Sequence, residues 1–487
     1  MSITDLAAGR RRHAGLTLAL LAFAQLIIAL DYNIVYVALP DIGRDLHFSA
    51  QSLQWVVSAY AVTFGGFLLL GGRAADLAGR RRMFVFALSL YGISSLVGGL
   101  SGSPGLLVAA RAVQGLGGAF LFPATLSLVN TSFAEGPERN RALAVWSVAG
   151  GSGLAVGSLA GGVLTQAFGW SSVFFVNVPL AAVAAGLAFV LIAPDGARER
   201  GRTFDIPGAI AATAGITLVV LALVQGPEWG WGSLNTLGTI AAGLVVLAVF
   251  AGVESRSREP LMPLRMFANR SLTASMGITL LFGASFASQF YLFTVYLHEI
   301  LNFSALETGL AFLPFAVIIT VGTQVGERLV NRIALGPALL TGTLIGAAGM
   351  LIFGFTMSTD SSYAVLLPGI LLSGLGQGIV WTSMWIAAAT GVAPERQGVA
   401  SGMASTTNQV GLTIGLAILV AIANHDTAGR TGHDLLAKTV HELRLAYFTA
   451  TAIALIGAAL AATFTRRSAT RPAEPLEVPA EPAYVND

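Results

Sequence analysis

Long apolar stretches, separated by short polar segments, run through almost the whole chain. Each stretch approaches the roughly 20 residues that a helix needs to cross the hydrocarbon core of a bilayer. A helix pairs its backbone polar groups within one segment, which lipid requires because it offers no partners. The pattern predicts an all-α integral membrane protein with fourteen spans, over residues 16–40, 51–72, 83–101, 104–130, 141–165, 170–193, 206–225, 235–254, 271–298, 305–328, 335–357, 362–391, 399–423 and 443–465.

Composition agrees with a membrane protein. Of the 487 residues, 55% are hydrophobic and 11% are charged, and the mean hydropathy is +0.74. Soluble domains carry about 25% charged residues. The first apolar run is too long for a cleaved signal peptide and contains Asp31, which a signal core would not carry.

Several kinds of site are excluded or unsupported by the sequence. The chain has no cysteine, which rules out disulfides and cysteine metal sites. It contains no GxxxxGK[ST] motif, so direct use of ATP is unsupported. We expect no metal, no cofactor and no nucleic-acid partner.

The basic residues indicate the orientation. If the N-terminus is cytoplasmic, the inner segments hold 22 of the 27 Lys and Arg residues and the outer segments hold 4, with Arg111 inside a span. Cytoplasmic loops are enriched in Lys and Arg. The asymmetry therefore predicts both termini in the cytoplasm, and the preference for Arg over Lys suggests a bacterial plasma membrane.

The chain also repeats itself. GLGGAFLFPATLSL begins at Gly115 and GLGQGIVWTSMWIA at Gly374, 259 residues later, while PERNRALAVW and PERQGVASGM begin at Pro137 and Pro394, 257 residues apart. Repeated halves around a central cavity are typical of secondary transporters. We predict a cytoplasmic tail (1–15), a six-helix bundle (16–195), two inserted helices (196–265), a second bundle (266–466) and a disordered cytoplasmic tail (467–487).

Two charged residues lie at membrane depth, Asp31 and Arg111. Each costs about 2.5–3.5 kcal/mol at a helix centre, so such residues usually serve a function. Counted from the outer helix ends, they lie roughly 13 Å and 10 Å deep. We hypothesise that they share one cavity and that Asp31 takes up and releases the coupling proton. The alternative for Asp31 is a structural acid that is permanently paired to Arg111 or caps a broken helix, and the alternative for Arg111 is a buried hydrogen-bond anchor for carbonyls of the first helix. In the second repeat Ile370 matches Arg111.

Polar and aromatic residues in other spans are candidates for a substrate pocket, although a packing or interfacial role is favoured for each. The main candidates are Tyr32, Asn33, Tyr36, Gln114, Gln289, Trp381 and Asn408, and the wider set adds Gln54, Tyr60 and Gln409. His298 and Glu299 form either a second protonation site or a solvated helix end.

Five stretches resemble the major facilitator superfamily, and within it the 14-helix drug:proton antiporters. They are LDYNIVYVALP from Leu30, GGRAADLAGRRRMF from Gly71, RAVQGLGGA from Arg111, GLAVGSLAGG from Gly153 and GWSSVFFVNVP from Gly169. Five positions differ from the usual motifs: Asn33 and Tyr36, where Thr and Asn are usual, Ala74 and Leu77 in the stretch from Gly71, and Ser158 in place of a proline.

The resemblance implies two six-helix bundles with two extra helices between them, a monomer, and a proton-coupling role for Arg111. It implies a cytoplasmic gate at Gly72, Asp76, Gly79, Arg80 and Arg81. The alternative for these arginines is plain topology signalling. The resemblance also implies an antiporter motif in the fifth helix, whose glycines could instead serve ordinary close packing: Gly153, Gly157, Gly161 and Gly162.

The sequence thus favours an exporter of amphiphilic drugs or antibiotics that works by alternating access and is driven by proton influx. With one clear acid at membrane depth, we expect neutral, monovalent cationic or zwitterionic substrates. A nutrient or metabolite symporter of the same superfamily is the alternative, and a non-transporting sensor or an enzyme has less support.

Overall fold

The protein is described here by a computed structural model covering residues 3–48, 50–53, 55–195, 205–257, 260, 262–303, 305–423 and 432–468. Gln54 and the predicted tail beyond residue 468 lie outside the described residues. Within the described residues the chain forms fourteen long helices, a few short helical turns and no strand.

The helices follow the predicted spans in number and order. The first eight are α1 (Ile3–Asp45), α2 (Trp55–Ala78), α3 (Arg80–Gly99), α4 (Pro104–Ser132), α5 (Pro137–Phe168), α6 (Ser172–Leu191, with a break at Val176), α7 (Ile206–Trp229) and α8 (Leu234–Arg256). The others are α9 (Arg270–Ile300), α10 (Ala305–Ile333), α11 (Leu335–Thr356), α12 (Tyr363–Ala389), α13 (Gln397–Ala423) and α14 (Gly432–Ser468).

Length and apolar character qualify 13 of the described helices as membrane spans. The fourteenth long helix is α5. Its 32 residues are long enough to cross, and it packs along α1. The all-helical membrane fold predicted from the sequence is therefore confirmed.

Local chemistry fixes several helix ends. Proline occupies the first helical position of α4 and α5, where its missing N–H costs no hydrogen bond. The Asn269 side chain accepts hydrogen bonds from the backbone N–H groups of Ser271 and Leu272 and so begins α9.

Two helices extend beyond the predicted spans, and one helix has an irregular interior. Helix α1 begins at Ile3 rather than residue 16, and α14 begins at Gly432 rather than residue 443. The added turns of α14 carry an ion pair between Lys438 and Glu442, which lets a polar segment continue the helix. Helix α9 contains two π-helical turns, Gly283–Ala287 and Tyr296–Ile300, which hydropathy does not reveal.

The two bundles repeat the same packing. In the first bundle α1 packs on α5, α2 on α4, and α3 on α4 and α6; in the second, α9 packs on α13, α10 on α12, and α11 on α12 and α14. Every pair in the first bundle recurs eight helices later. The bundles meet along two seams, α2 with α13 and α5 with α10. The exact domain boundaries stay a prediction.

The inserted helices α7 and α8 pack on each other, and α7 covers the α2–α13 seam. Val220 of α7 lies against Gly65 and Thr217 against Gly66. An apolar cluster joins all three helices, with Leu69 from α2, Val220 from α7 and Met403 from α13. One of the two seams is thereby shielded by a helix that belongs to neither bundle.

Candidate functional site

The two charges at membrane depth form an ion pair inside the first bundle. Arg111 Nη1 donates to Asp31 Oδ2 over 2.8 Å, and the residues are 1% and 0% exposed. Asp31 Oδ1 accepts from Gln114 Nε2 (2.8 Å) and Asn177 Nδ2 (2.7 Å). Three donors from α4 and α6 thus hold one carboxylate of α1. The pair lies in a closed polar core and does not line an open cavity.

The guanidinium of Arg111 has further partners. Its Nε donates to the carbonyl of Val56 over 2.9 Å, and Nη1 also donates to Gln114 Oε1. The group lies over the Tyr60 ring at 4.4 Å and the Phe174 ring at 5.9 Å. Arg111 therefore pairs with Asp31 and anchors a carbonyl of α2, rather than the carbonyls of α1 that the sequence had offered as the alternative.

Sequence reasoning missed two members of this network. The Ser95 hydroxyl accepts from Gln114 Nε2 (3.1 Å) and Asn177 Nδ2 (3.2 Å) and donates to the carbonyl of Phe174. Asn177 lay inside the GWSSVFFVNVP stretch but was not singled out. An amide in an apolar helix that begins beside a tight turn is the signal that could have found it.

The second bundle carries an uncharged counterpart of this network. Ser373 Oγ donates to Gln289 Oε1 (2.9 Å), and Gln289 Nε2 donates to Gln377 Oε1 (3.2 Å). Ser373 follows Gln114 by the repeat offset of 259 residues, and Ile370 follows Arg111 by the same offset. Beside the amides lies a small cavity lined by Gln289, Phe290, Phe293, Phe315, Phe353, Ile370, Ser373 and Tyr447.

The remaining pocket candidates are dispersed. Tyr32 contacts the rings of Tyr36 (6.3 Å) and Tyr60 (6.0 Å), and Tyr36 is 48% exposed. Asn33 donates to the carbonyl of Ala29 in its own helix. Asn408 donates to the carbonyl of Thr279 in α9.

Trp381 lies in an aromatic cluster between the bundles, with its ring centroid 5.5 Å from that of Trp385. His298 and Glu299 are exposed, as expected of a solvated helix end.

A second polar site joins the bundles at the inner face, the side where α1 begins and α14 ends. The Asp76 carboxylate accepts from the backbone N–H groups of Gly398 (3.1 Å) and Val399 (3.0 Å) in the first turn of α13. Arg80 lies 3.5 Å from Asp76 and donates to the carbonyl of Pro394. We call these five residues the inner clamp. A carboxylate is favoured at a helix N-terminus, where N–H groups lack partners.

The other predicted gate residues support the inner clamp or lie beside it. A Cβ on Gly72 would lie 2.3 Å from the Gly398 carbonyl oxygen, so only glycine allows this close crossing of α2 and α13. Gly79 has φ +101°, a region that favours glycine. Asp195 accepts from the backbone N–H groups of Arg81 and Arg82 over 3.0 Å each. Arg81 is therefore tied within its own bundle and does not join the two bundles.

The second seam has its own polar contact at the same face. Asn140 Nδ2 at the start of α5 donates to Asn331 Oδ1 at the end of α10 over 2.6 Å, and Arg139 reaches the carbonyl of Ala389. Both seams of the inner face are therefore closed in this conformation.

Three of the four motif glycines of α5 face α1. A Cβ on Gly153 would lie 2.2 Å from Ala29 Cβ, on Gly157 2.8 Å from the Leu30 carbonyl, and on Gly161 3.0 Å from the Ile34 carbonyl. Gly162 has nothing within 4 Å of its Cβ position. The spacing thus brings three of the four glycines against the helix that carries Asp31.

Comparisons with known proteins agree with the resemblance found in the sequence motifs. The family model described as Major Facilitator Superfamily matches residues 21–416. The chain is 39% identical to the cephamycin export protein CmcT of Amycolatopsis lactamdurans, covering 85% of each chain. It is 37% identical to the puromycin resistance protein pur8 of Streptomyces alboniger, covering 93% of this chain and 91% of the relative. The solved human organic anion transporter MFSD10 (TETRAN) shares the fold, with a TM-score of 0.67 at 16% identity over 92% and 99% of the two chains.

Proposed function

Because the chain belongs to the major facilitator superfamily, we propose that it exports amphiphilic small molecules, antibiotics among them, in exchange for protons. Two relatives of 39% and 37% identity are, by name, an antibiotic export protein and an antibiotic resistance protein. The structural observation that carries the proposal is the carboxylate of Asp31, which is fully buried and has donors on two other helices.

Protonation of Asp31 would change these contacts. A neutral carboxyl group loses its charge attraction to Arg111 and must itself donate one hydrogen bond. Gln114 and Asn177 both present N–H donors to its Oδ1, so a proton on that oxygen faces donors until an amide turns round, as the unpartnered Asn177 Oδ1 would allow. Uptake of a proton therefore favours movement of α1 away from α4 and α6. A ligand or proton shifts the balance between two conformations only if it binds one of them more tightly than the other.

The inner clamp and the Asn140–Asn331 contact would open in the state in which the carrier faces the cytoplasm. Substrate would bind from the cytoplasm when both seams of the inner face part and would leave outward when they close. Each proton that enters gains about 2.3 kcal/mol per 100 mV, which is enough to drive export against a gradient. We take the proton as the coupling ion, with no other cofactor and no ATP.

We also propose where in the cell the protein acts. The protein is a multi-pass membrane protein. The distribution of arginines supports an inner face in the cytoplasm, with both termini on that side of a bacterial plasma membrane. We propose that it acts as a monomer on small-molecule substrates.

Transport can be tested in energised inside-out vesicles that carry the full chain. Puromycin, cephamycin and a set of lipophilic dyes are added while a fluorescent probe reports the pH gradient. We expect at least one compound to dissipate the gradient with the wild type and with Asp41→Asn, and none with Asp31→Asn. Asp41 is the matched control because it lies on α1 in an exposed ion pair with Arg44.

Other results would contradict the proposal. A compound that dissipates the gradient equally with Asp31→Asn would remove that residue from the coupling path. Proton-driven uptake in right-side-out vesicles, without export, would favour the symporter.

A further inference from the structure

Five aromatic side chains close the space between the bundles above the inner clamp. Phe122 of α4 and Trp146 of α5 meet Trp385 of α12, with ring centroids 5.3 Å (Phe122–Trp146), 5.6 Å (Phe122–Trp385) and 5.8 Å (Trp146–Trp385) apart. Trp381 and Phe282 extend the group into the second bundle at 5.5 and 5.3 Å. We call these five residues the indole cluster. Trp146 and Trp385 are 0% exposed.

The cluster lies in the inner half of the membrane. Trp146 follows Pro137, the first residue of α5, by nine positions, or about 14 Å along the helix, and Trp385 precedes the end of α12 by about 6 Å. A line of rings connects it to the ion pair: the Arg111 guanidinium lies 4.4 Å from Tyr60, Tyr60 lies 5.7 Å from Phe64, and Phe64 lies 6.2 Å from Phe122. The cluster thus lies between the proposed proton site and the inner face, where it forms a floor of packed rings.

Three donors in this floor have no acceptor. In the part of the chain that the structure describes, Nε1 of Trp146, Trp381 and Trp385 has no hydrogen-bond partner, although all three atoms are shielded from solvent. Buried indole N–H groups usually find an acceptor, since leaving one unpaired is unfavourable. Trp170 shows the usual arrangement, because its Nε1 donates to Asp45 over 3.1 Å.

We propose that the indole cluster is a substrate-binding surface for aromatic, non-anionic compounds that carry a hydrogen-bond acceptor. This inference rests on the proposed export function and names its substrate class. Phe122 and Trp146 belong to one bundle and Trp381, Trp385 and Phe282 to the other, so opening of the inner face separates their rings. A flat aromatic substrate then stacks between them, and its oxygen or nitrogen acceptor takes the indole N–H.

The chemistry of the rings supports this class. Aromatic faces carry partial negative charge, which favours neutral or cationic partners over anions. After the substrate leaves outward, the rings pack on each other and close the path. The same side chains therefore bind the substrate in one state and seal the protein in the other.

The test uses the purified full chain in lipid nanodiscs and equilibrium binding of two probes. Puromycin carries a purine and a methoxyphenyl ring, whereas cephamycin has no aromatic ring in its fused β-lactam core. We expect Trp146→Phe and Trp385→Phe, which keep a ring but lose the N–H, to bind puromycin about fivefold more weakly than wild type. Trp146→Leu and Trp385→Leu should lose on the order of tenfold or more.

Trp170→Phe is the matched control, because it removes an indole N–H outside the cluster, and its puromycin binding should equal that of wild type. If the four cluster variants bound puromycin as tightly as the wild type does, the inference would be overturned. The indole N–H groups would then only contact water or contribute to packing. Binding and proton-coupled export of cephamycin without any binding of puromycin would also overturn it and leave the export function standing.

The two proposals can fail separately. Puromycin binding that depends on Trp146 and Trp385, without any proton-coupled export, would contradict the proposed function and support the cluster as a binding site. Absence of both binding and export would overturn both.

Discussion

At the scale of single residues, the environment of Asp31 decides what the polar core can do. Its two carboxylate oxygens accept from Arg111, Gln114 and Asn177 at 2.7–2.8 Å. Breaking a buried ion pair by removing one partner costs far more than the pair contributes, because the other charge is left without compensation. The network therefore holds α1 against α4 and α6 as long as Asp31 keeps its charge.

The first prediction concerns Asn177. Asn177→Ala removes donors to Asp31 and to Ser95, and hydrogen bonds to charged groups contribute about 1.5–3 kcal/mol. We expect a lower melting temperature in detergent and a strong loss of proton-coupled transport. Asn235→Ala is the control, since Asn235 is exposed on α8. Unchanged transport by Asn177→Ala would show that the amide only fills space.

At the scale of helices, the inner clamp connects the end of α2 to the beginning of α13. Its energy comes from the charge of Asp76 next to the unpaired N–H groups of a first helical turn. The Asp76 side chain is 1% exposed, so water cannot replace the contact while the clamp is closed. Glycine at 72 and 398 lets the two helices approach closely enough to make it.

Removing the negative charge of Asp76 should favour opening of the α2–α13 seam at the inner face. Asp76→Asn loses one acceptor oxygen and the charge, which we expect to cost the closed state about 1–2 kcal/mol. A single cysteine in place of Ala400, which is buried at this seam, reports opening by its rate of thiol labelling. The rate should rise roughly 5- to 30-fold.

Glu395→Gln supplies the comparison for Asp76→Asn, because Glu395 is an exposed acid on the same face. The chain has no native cysteine to interfere. A labelling rate that stays the same in Asp76→Asn would argue against the clamp.

The glycine face of α5 gives a second prediction at this scale. Gly153→Ala would place a methyl group 2.2 Å from Ala29 Cβ, and overpacking of this kind costs about 1–3 kcal/mol. We expect lower thermal stability and slower transport, measured in detergent and in vesicles. Gly162→Ala, whose methyl group meets nothing within 4 Å, should behave like the wild type. Equal behaviour of the two variants would exclude a tight α1–α5 contact.

At the scale of the whole molecule, two six-helix bundles meet along two unlike seams. The α2–α13 seam has the inner clamp and is covered by α7, whereas the α5–α10 seam has the Asn140–Asn331 contact. Both seams are closed at the inner face in this conformation.

Linking the bundles should stop the alternating-access cycle. Cysteines in place of Asn140 and Asn331, whose side chains are 2.6 Å apart, should cross-link with a short bifunctional thiol reagent and block transport until the link is cleaved. The control pair is Thr279→Cys with Thr407→Cys, which joins side chains 2.7 Å apart within the second bundle. Transport that continues across the Asn140–Asn331 link would contradict rigid-body opening at this seam.

Much of this fold could be read from local patterns. Apolar runs of sufficient length specify spans because lipid leaves an unpaired backbone no alternative to helix. Fourteen helices and the superfamily are confirmed. Helices α1 and α14 extend beyond the predicted spans because polar turns can continue a helix beyond the lipid. The π turns of α9 depend on contacts with other helices and leave no periodic signature.

The sequence alone determined that this is a helical membrane protein of two repeated bundles with rare charges at membrane depth, because hydropathy, charge asymmetry and repeats are properties of the chain itself. Only the tertiary structure decided which groups surround Asp31, that Arg80 rather than Arg81 joins the bundles, and that Trp146 faces Trp385. Such contacts join residues tens to hundreds of positions apart, and hydrogen-bond geometry exists only after the helices have packed.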